Sequence, residues 1–180
     1  MSKLSIGQND VVKTSTKRRN LIFKVNPTYQ RQKFVVDYVS NHEGQAGIIY
    51  CSTRKQVEEL HEALNNEKIK STIYHAGLTN KERIEAQNDF LYDRVEVVIA
   101  TNAFGMGIDK SNVRYVIHYN MPGDLESYYQ EAGRAGRDGL KSECILLFSE
   151  RDKGLHEYFI TVSQADDDYK DKMGEKLTKM

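Results

Sequence analysis

The sequence has 180 residues, enough for one domain around a single core, and 39% of them are apolar. Its 26 basic and 26 acidic residues balance, so no whole-molecule field argues for nucleic acid or a membrane surface. The longest apolar run falls far short of a membrane span and no charged-then-apolar leader opens the chain, which fits a cytoplasmic protein with no membrane partner.

Taken in chain order, residues 1–20 are polar, with Thr14-Ser15-Thr16 and the basic triplet Lys17-Arg18-Arg19, and are read as a linker. The domain proper is expected over 21–150, with 151–180 as a C-terminal helical extension. Leu21 to Val25 reads as a strand, and Thr28 to His42 as a helix with Phe34, Val35, Tyr38 and Val39 on one face. Gly47 to Tyr50 is a buried strand, followed by a helix opening at a capping box, Thr53-x-x-Gln56. Lys70 to Tyr74 is a strand, and Thr79-x-x-Glu82 is a second capping box for a helix reaching about Tyr92. Val95 to Ala100 and Arg114 to His118 are strands joined by a glycine-bearing loop; Asp124 can cap the next helix, and Glu143 to Phe148 is the last strand. Strands alternating with helices imply crossovers, hence an α/β fold with a largely parallel sheet and helices on both faces. Ligands of such sheets collect beyond the carboxyl ends of the strands, where Ser52 to Arg54, His75 to Leu78, Thr101 to Lys110 and Asn120 to Asp124 fall.

Cys51 and Cys144 lie far apart in apolar runs, with no paired spacing, which argues for a reducing compartment and against a zinc site in this chain. The segment richest in chemistry is Gln130 to Gly139, with two arginines among three glycines. If it is helical, Gln130, Arg134 and Arg137 share one face at i, i+4 and i+7, while Gly133 and Gly136 keep that face thin. Arginine suits a polyphosphate because its planar fork grips phosphate oxygens bidentately and keeps its charge when desolvated. The plainer alternative is a flexible loop paired with acids such as Asp138, which could instead orient one of the arginines. The chain has no Gly-x-x-x-x-Gly-Lys-[Ser/Thr] loop to hold a nucleotide, so the arginines read as half of a site.

Ala100 to Lys110 combines Thr101, Asn102, Gly105, Gly107 and Asp109 directly after a strand, which suits either an anion-binding loop or a loop whose glycines only satisfy positive φ. Ser52-Thr53-Arg54 can offer hydroxyls, helix-terminal amides and a guanidinium to a phosphate, with Thr53 an N-cap in either case. His75 beside Gly77 belongs to no visible nucleophile, base and orienter set.

These segments in this order resemble the second RecA-like domain of superfamily 2 helicases, and among those the RecQ family. Gly47 to Arg54 resembles motif IV, Tyr74 to Leu78 the DNA-side segment that follows, Ala100 to Lys110 motif V and Gln130 to Gly139 motif VI. The resemblance implies a RecA-like fold of the P-loop NTPase type. It also implies that Arg137 is an arginine finger with Arg134 beside it, and that Gly107, Asp109 and Gln130 link nucleotide state to domain closure. Ser52, Arg54, His75, Gly77 and Thr101 would grip the backbone of single-stranded DNA, the partner being single-stranded or duplex DNA. ATP and Mg2+ would be held mainly by an N-terminal RecA-like domain absent from this sequence, so the chain alone should not hydrolyse ATP. The activity implied is 3′ to 5′ DNA unwinding in repair and recombination, with residues 166–180 a helix towards a downstream zinc module. Two rivals remain at this stage: a non-catalytic nucleic-acid-binding module of the same fold, and an RNA helicase domain.

Overall fold

A computed structural model of the protein describes residues 18–104 and 109–149. Ten elements alternate along the chain: β1 (Leu21–Pro27), α1 (Arg31–Ser40), β2 (Ala46–Tyr50), α2 (Arg54–Asn66), β3 (Ser71–Tyr74), α3 (Asn80–Leu91), β4 (Val97–Ala100), β5 (Val113–His118), α4 (Leu125–Ala132) and β6 (Ser142–Phe148). The six strands form one sheet in the order β1-β6-β5-β2-β4-β3, and every pairing is parallel. The parallel α/β architecture expected from the alternating pattern is therefore present.

Residues in the central strands alternate between two cores. Ile48 and Tyr50 pack with Phe90 of α3 and Ala132 of α4, whereas Ile49 and Cys51 pack with Val35 and Val39 of α1 and with Val57, Leu60 and Leu64 of α2. Because a strand's side chains point to opposite faces in turn, this division puts α1 and α2 on one face and α3 and α4 on the other. All five residues of β2 are buried, which explains its unbroken apolar run. Each large aliphatic side chain buried here contributes about 1.5–3 kcal/mol.

Local chemistry sets the helix starts. Thr79 and Glu82 form the full reciprocal box: the Thr79 hydroxyl accepts from the Glu82 amide, and the Glu82 carboxylate accepts from the Thr79 amide at 2.7 Å. The box expected at Thr53 and Gln56 is only half made. Thr53 accepts from the Gln56 amide at 3.2 Å, but Gln56 Oε1 is buried without a hydrogen-bond partner. A carboxylate is drawn back to the positive helix end, and a neutral amide is drawn less strongly. Helix α1 begins at Arg31 rather than Thr28, because the Thr28 amide still donates to Phe148 of β6 and its hydroxyl accepts from the Gln30 amide.

The continuous helix face joining Gln130, Arg134 and Arg137 does not form. Helix α4 stops at Ala132, Gly133 is its C-cap, and Gly136 adopts a left-handed conformation at φ +56°. The Arg134 and Ala135 amides donate to carbonyls three residues back, and the carbonyls of Gly133, Ala135 and Gly136 receive side-chain donors from elsewhere in the chain. A chain whose carbonyls point outward to such donors cannot also close i to i+4 rungs. Gln130 remains on α4, exposed, with Nε2 3.5 Å from Glu126 Oε1.

Candidate functional site

Connections from β2 and β5 depart to opposite faces, since β2 leads into α2 and β5 into α4. Between their carboxyl ends lies a cavity of about 310 Å³, whose lining includes Ser52, His118, Asn120 and Asp124. A parting of this kind is where parallel sheets open a ligand crevice. Backbone bonds fix its rim: the Cys51 amide donates to Ala100, Tyr119 to Tyr50 and Thr101 to Tyr74. The Ser52 amide donates to Asn120 Oδ1 at 3.0 Å, tying the loop after β2 to the loop after β5. Asp124 caps α4 by accepting from the Ser127 amide at 2.8 Å.

Beside this cavity the carboxyl-end loops carry Ser52, Arg54, His75, Gly77 and Thr101, and bring Arg54, His75 and Gly77 close together. Ser52 and Arg54 are exposed, and a Cβ added at Gly77 would stand 3.0 Å from Arg54 Nη1, so the guanidinium lies against the exposed Gly77 backbone. His75 is buried; its Nδ1 accepts from the Gly77 amide at 3.1 Å, and its Nε2 is 3.7 Å from Glu58. It shapes the turn that presents Gly77. Thr101 begins the next loop, half-buried, bonded through its amide to the end of β3.

The arginine turn sits elsewhere. The Gly136 amide donates to Val113 and the Asp138 amide to Ser111, which anchors the backbone of residues 136–138 at the amino end of β5. There Arg137 Nη1 donates to Asp109 Oδ1 at 2.8 Å, with the two side chains 35% and 87% exposed. An exposed pair of this kind is worth roughly 0–1 kcal/mol, enough to aim a guanidinium and little enough to release it. Arg134 lies beside Tyr50. Burial pushes the Tyr50 phenol well above its ordinary pKa, and the Arg134 guanidinium charge is the largest opposing influence, with a hydrogen bond to the same phenol. The Tyr50 hydroxyl itself donates to the Phe104 carbonyl at 3.0 Å.

Asp138 does orient an arginine, but it is Arg114, which the sequence did not single out. Arg114 Nη2 reaches both carboxylate oxygens, at 2.7 and 2.6 Å, and those bonds hold the Asp138 pKa below its ordinary value. Sequence reading also missed His118, 1% exposed, whose Nε2 lies 2.8 Å from Glu131 Oε2 and whose ring stacks on Tyr50. Because the Glu131 carboxylate accepts, Nε2 is the donor of this bond, and Nδ1 is buried with no hydrogen-bond partner among the described residues. Lys110 is buried as well, donating to Asp93 at 2.7 Å and anchoring the end of the glycine-bearing loop against α3. Gly107 lies outside the described residues, as do the linker up to residue 17 and the extension from residue 150. Among the described residues no three His, Cys, Asp or Glu side chains are grouped to hold a metal ion, and no helix is long and apolar enough to cross a membrane.

Residues 30–139 match the family described as the helicase conserved C-terminal domain. The chain is 45% identical over 178 residues to the ATP-dependent DNA helicase RecQ of Bacillus subtilis, covering 99% of this chain and 30% of that protein. It is 47% identical over 135 residues to the protein of the same name from Pasteurella multocida, covering 75% of this chain and 21% of that one. The chain thus spans less than a third of the length of these relatives. Among solved structures, the E. coli DEAD-box protein SrmB superposes with a TM-score of 0.66 at 24% identity, over 77% of this chain and 81% of that one, a likeness of fold.

Proposed function

Since this chain belongs to the helicase conserved C-terminal domain family, and within it to the RecQ type, we propose that it forms the second RecA-like motor half of an ATP-dependent DNA helicase moving 3′ to 5′. The observation that carries this reading is what the two described ends of the loop between β4 and β5 touch. The loop starts at Thr101, bonded to the carboxyl end of β3, and finishes at Asp109, ion-paired to Arg137. One short segment therefore touches both the surface suited to a phosphate backbone and the residue suited to a nucleotide.

In the proposed mechanism, ATP and Mg2+ are held by an upstream motor domain, and Arg137 leaves Asp109 for the γ-phosphate when the two domains close. Arg134, supported by Tyr50, stands beside it. The role of Arg137 is to stabilise charge on the transferring phosphoryl group, a contribution on the order of 10³-fold or more in related NTPases. Release of Arg137 frees Asp109, and the strain passes along the loop to Thr101, changing the grip on the strand; Gln130 and Gly107 belong to the same coupling path. Ser52, Arg54, Gly77 and Thr101 contact phosphates, and His75 holds the turn for them. Such contacts are blind to base sequence, as a translocating motor requires. Unwinding of this kind would serve DNA repair and recombination in the cytoplasm.

The test uses the full-length protein. Arg137→Ala is expected to collapse DNA-stimulated ATP turnover by about 10³-fold while ATP binding is largely kept; undiminished turnover would sink the arginine-finger assignment. A full-length protein that binds DNA but never hydrolyses ATP would favour a non-catalytic module. Thr101→Ala is expected to weaken single-strand binding equally for all sequences, measured by fluorescence anisotropy, and a strongly sequence-dependent loss would count against a phosphate contact.

A further inference from the structure

The arginine turn makes few bonds within itself. Its backbone is held at three carbonyls by a side chain 115 to 118 residues away. Arg18 donates from Nη1 to Gly133 at 3.1 Å and from Nη2 to Ala135 at 2.9 Å and to Gly136 at 2.5 Å. Asn20 adds a second donor to the Gly136 carbonyl at 2.8 Å and bonds Leu140 at 2.9 Å, while its own carbonyl accepts from the Ser142 amide. The two side chains also lie within reach of each other, Arg18 Nε to Asn20 Oδ1 at 3.5 Å. Between them they fix the residue before Arg134, both residues between the two arginines, and the residue after Gly139.

Guanidinium chemistry fits this task. Three carbonyls converging on one point form a negative concavity, and a planar five-donor fork can satisfy several at once where an ammonium offers one compact charge. With Gly136 in a left-handed conformation the turn does not continue the α4 ladder, so these outside donors help to hold the backbone from which Arg134 and Arg137 project.

We propose that Arg18 and Asn20 are positioning residues that preorganise the arginine turn for phosphate. Because they directly precede β1, they also tie the arginines to the chain entering the domain. The catalytic part of this inference rests on the arginine-finger reading above; the structural part does not. A misplacement of a reacting group by about 1 Å can cost on the order of 10²-fold in rate, so a loosened turn should show in turnover before it shows in binding.

In the full-length protein, Arg18→Ala is expected to lower kcat for DNA-stimulated ATP hydrolysis by roughly ten- to a hundredfold, with KM for ATP and nucleotide-free single-strand affinity within about twofold. Asn20→Ala should act in the same direction more weakly, and Arg18→Lys should restore only part of the loss. Hydrogen exchange should quicken at residues 133–140 while β2 and β4 keep their protection. Unchanged turnover in Arg18→Ala, where Arg137→Ala abolishes it, overturns the proposal, as does a joint loss of turnover, DNA binding and strand protection. If Arg137→Ala leaves turnover intact, the arginine reading fails, and exchange decides the positioning claim: faster exchange at 133–140 supports it and unchanged exchange overturns it.

Discussion

Arg137 pairs with an exposed carboxylate, whereas Arg134 lies against a buried phenol, although the two stand only three residues apart. The first can change partners at little cost; the second is part of the fold's interior network of Tyr50, Glu131 and His118. Between them Gly136 has no substitute. A Cβ there would stand 2.5 Å from Asn20 Nδ2, 2.6 Å from Ser142 Oγ and 2.8 Å from the Leu140 carbonyl, at a φ that L-residues avoid. Gly136→Ala combines that backbone cost of about 1–2 kcal/mol with overpacking of about 1–3 kcal/mol. A urea titration is expected to show a loss of at least about 2 kcal/mol, and a loss near zero would mean that the turn is not held as described.

At the level of elements, the loop from β4 to β5 and the turn after α4 matter more than any helix, because they meet at Asp109 and Arg137. Lys110 keeps that meeting point in place by closing on Asp93 and lying over the Phe90 ring. Helix α2 carries a different signature. Its N-terminus is capped by Thr53, yet Gln56 Oε1 is buried with no donor to accept from among the described residues. Leaving a polar atom in that state costs about 1–3 kcal/mol, so replacing it with an apolar group of similar shape removes a cost. Gln56→Met is expected to be neutral or to stabilise by up to about 1 kcal/mol in the same titration. A clear destabilisation would show that Gln56 has a partner in solution.

Over the whole molecule, hydrogen-bonded carboxylates tie neighbouring segments together. Burial alone would raise the pKa of Glu143, but hydrogen bonds from Lys24 and Tyr38 outweigh it and leave the value lowered. Asp138 is lowered by its bonds from Arg114, and Glu82 by those from Thr79. A carboxylate whose folded pKa lies below its unfolded one adds stability above the ordinary carboxylate range, and that stability disappears as pH falls through it. The melting temperature should therefore drop on acidification through that range, and Glu143→Gln should make the drop shallower. A melting temperature flat across the range would contradict this account.

Much of this architecture was legible in the chain, because strand and helix periods, the Thr79 box and the Asp124 cap are local and act within a few residues. The unbroken apolar run of β2 told of burial on both faces, and the order of motifs told of the helicase family before any coordinate did. What the chain could not tell was set across long separations. The helix expected through Arg137 was a sound local inference, defeated by Arg18, more than a hundred residues away, which claims the carbonyls a helix would need. The pairing of Asp138 with Arg114 and of His118 with Glu131 likewise came from how the sheet folds back on itself. By itself, then, the sequence determined the elements and the family. The tertiary structure alone decided which residues meet, because hydrogen-bond donors and acceptors distant in the chain become neighbours only once the parallel sheet is closed.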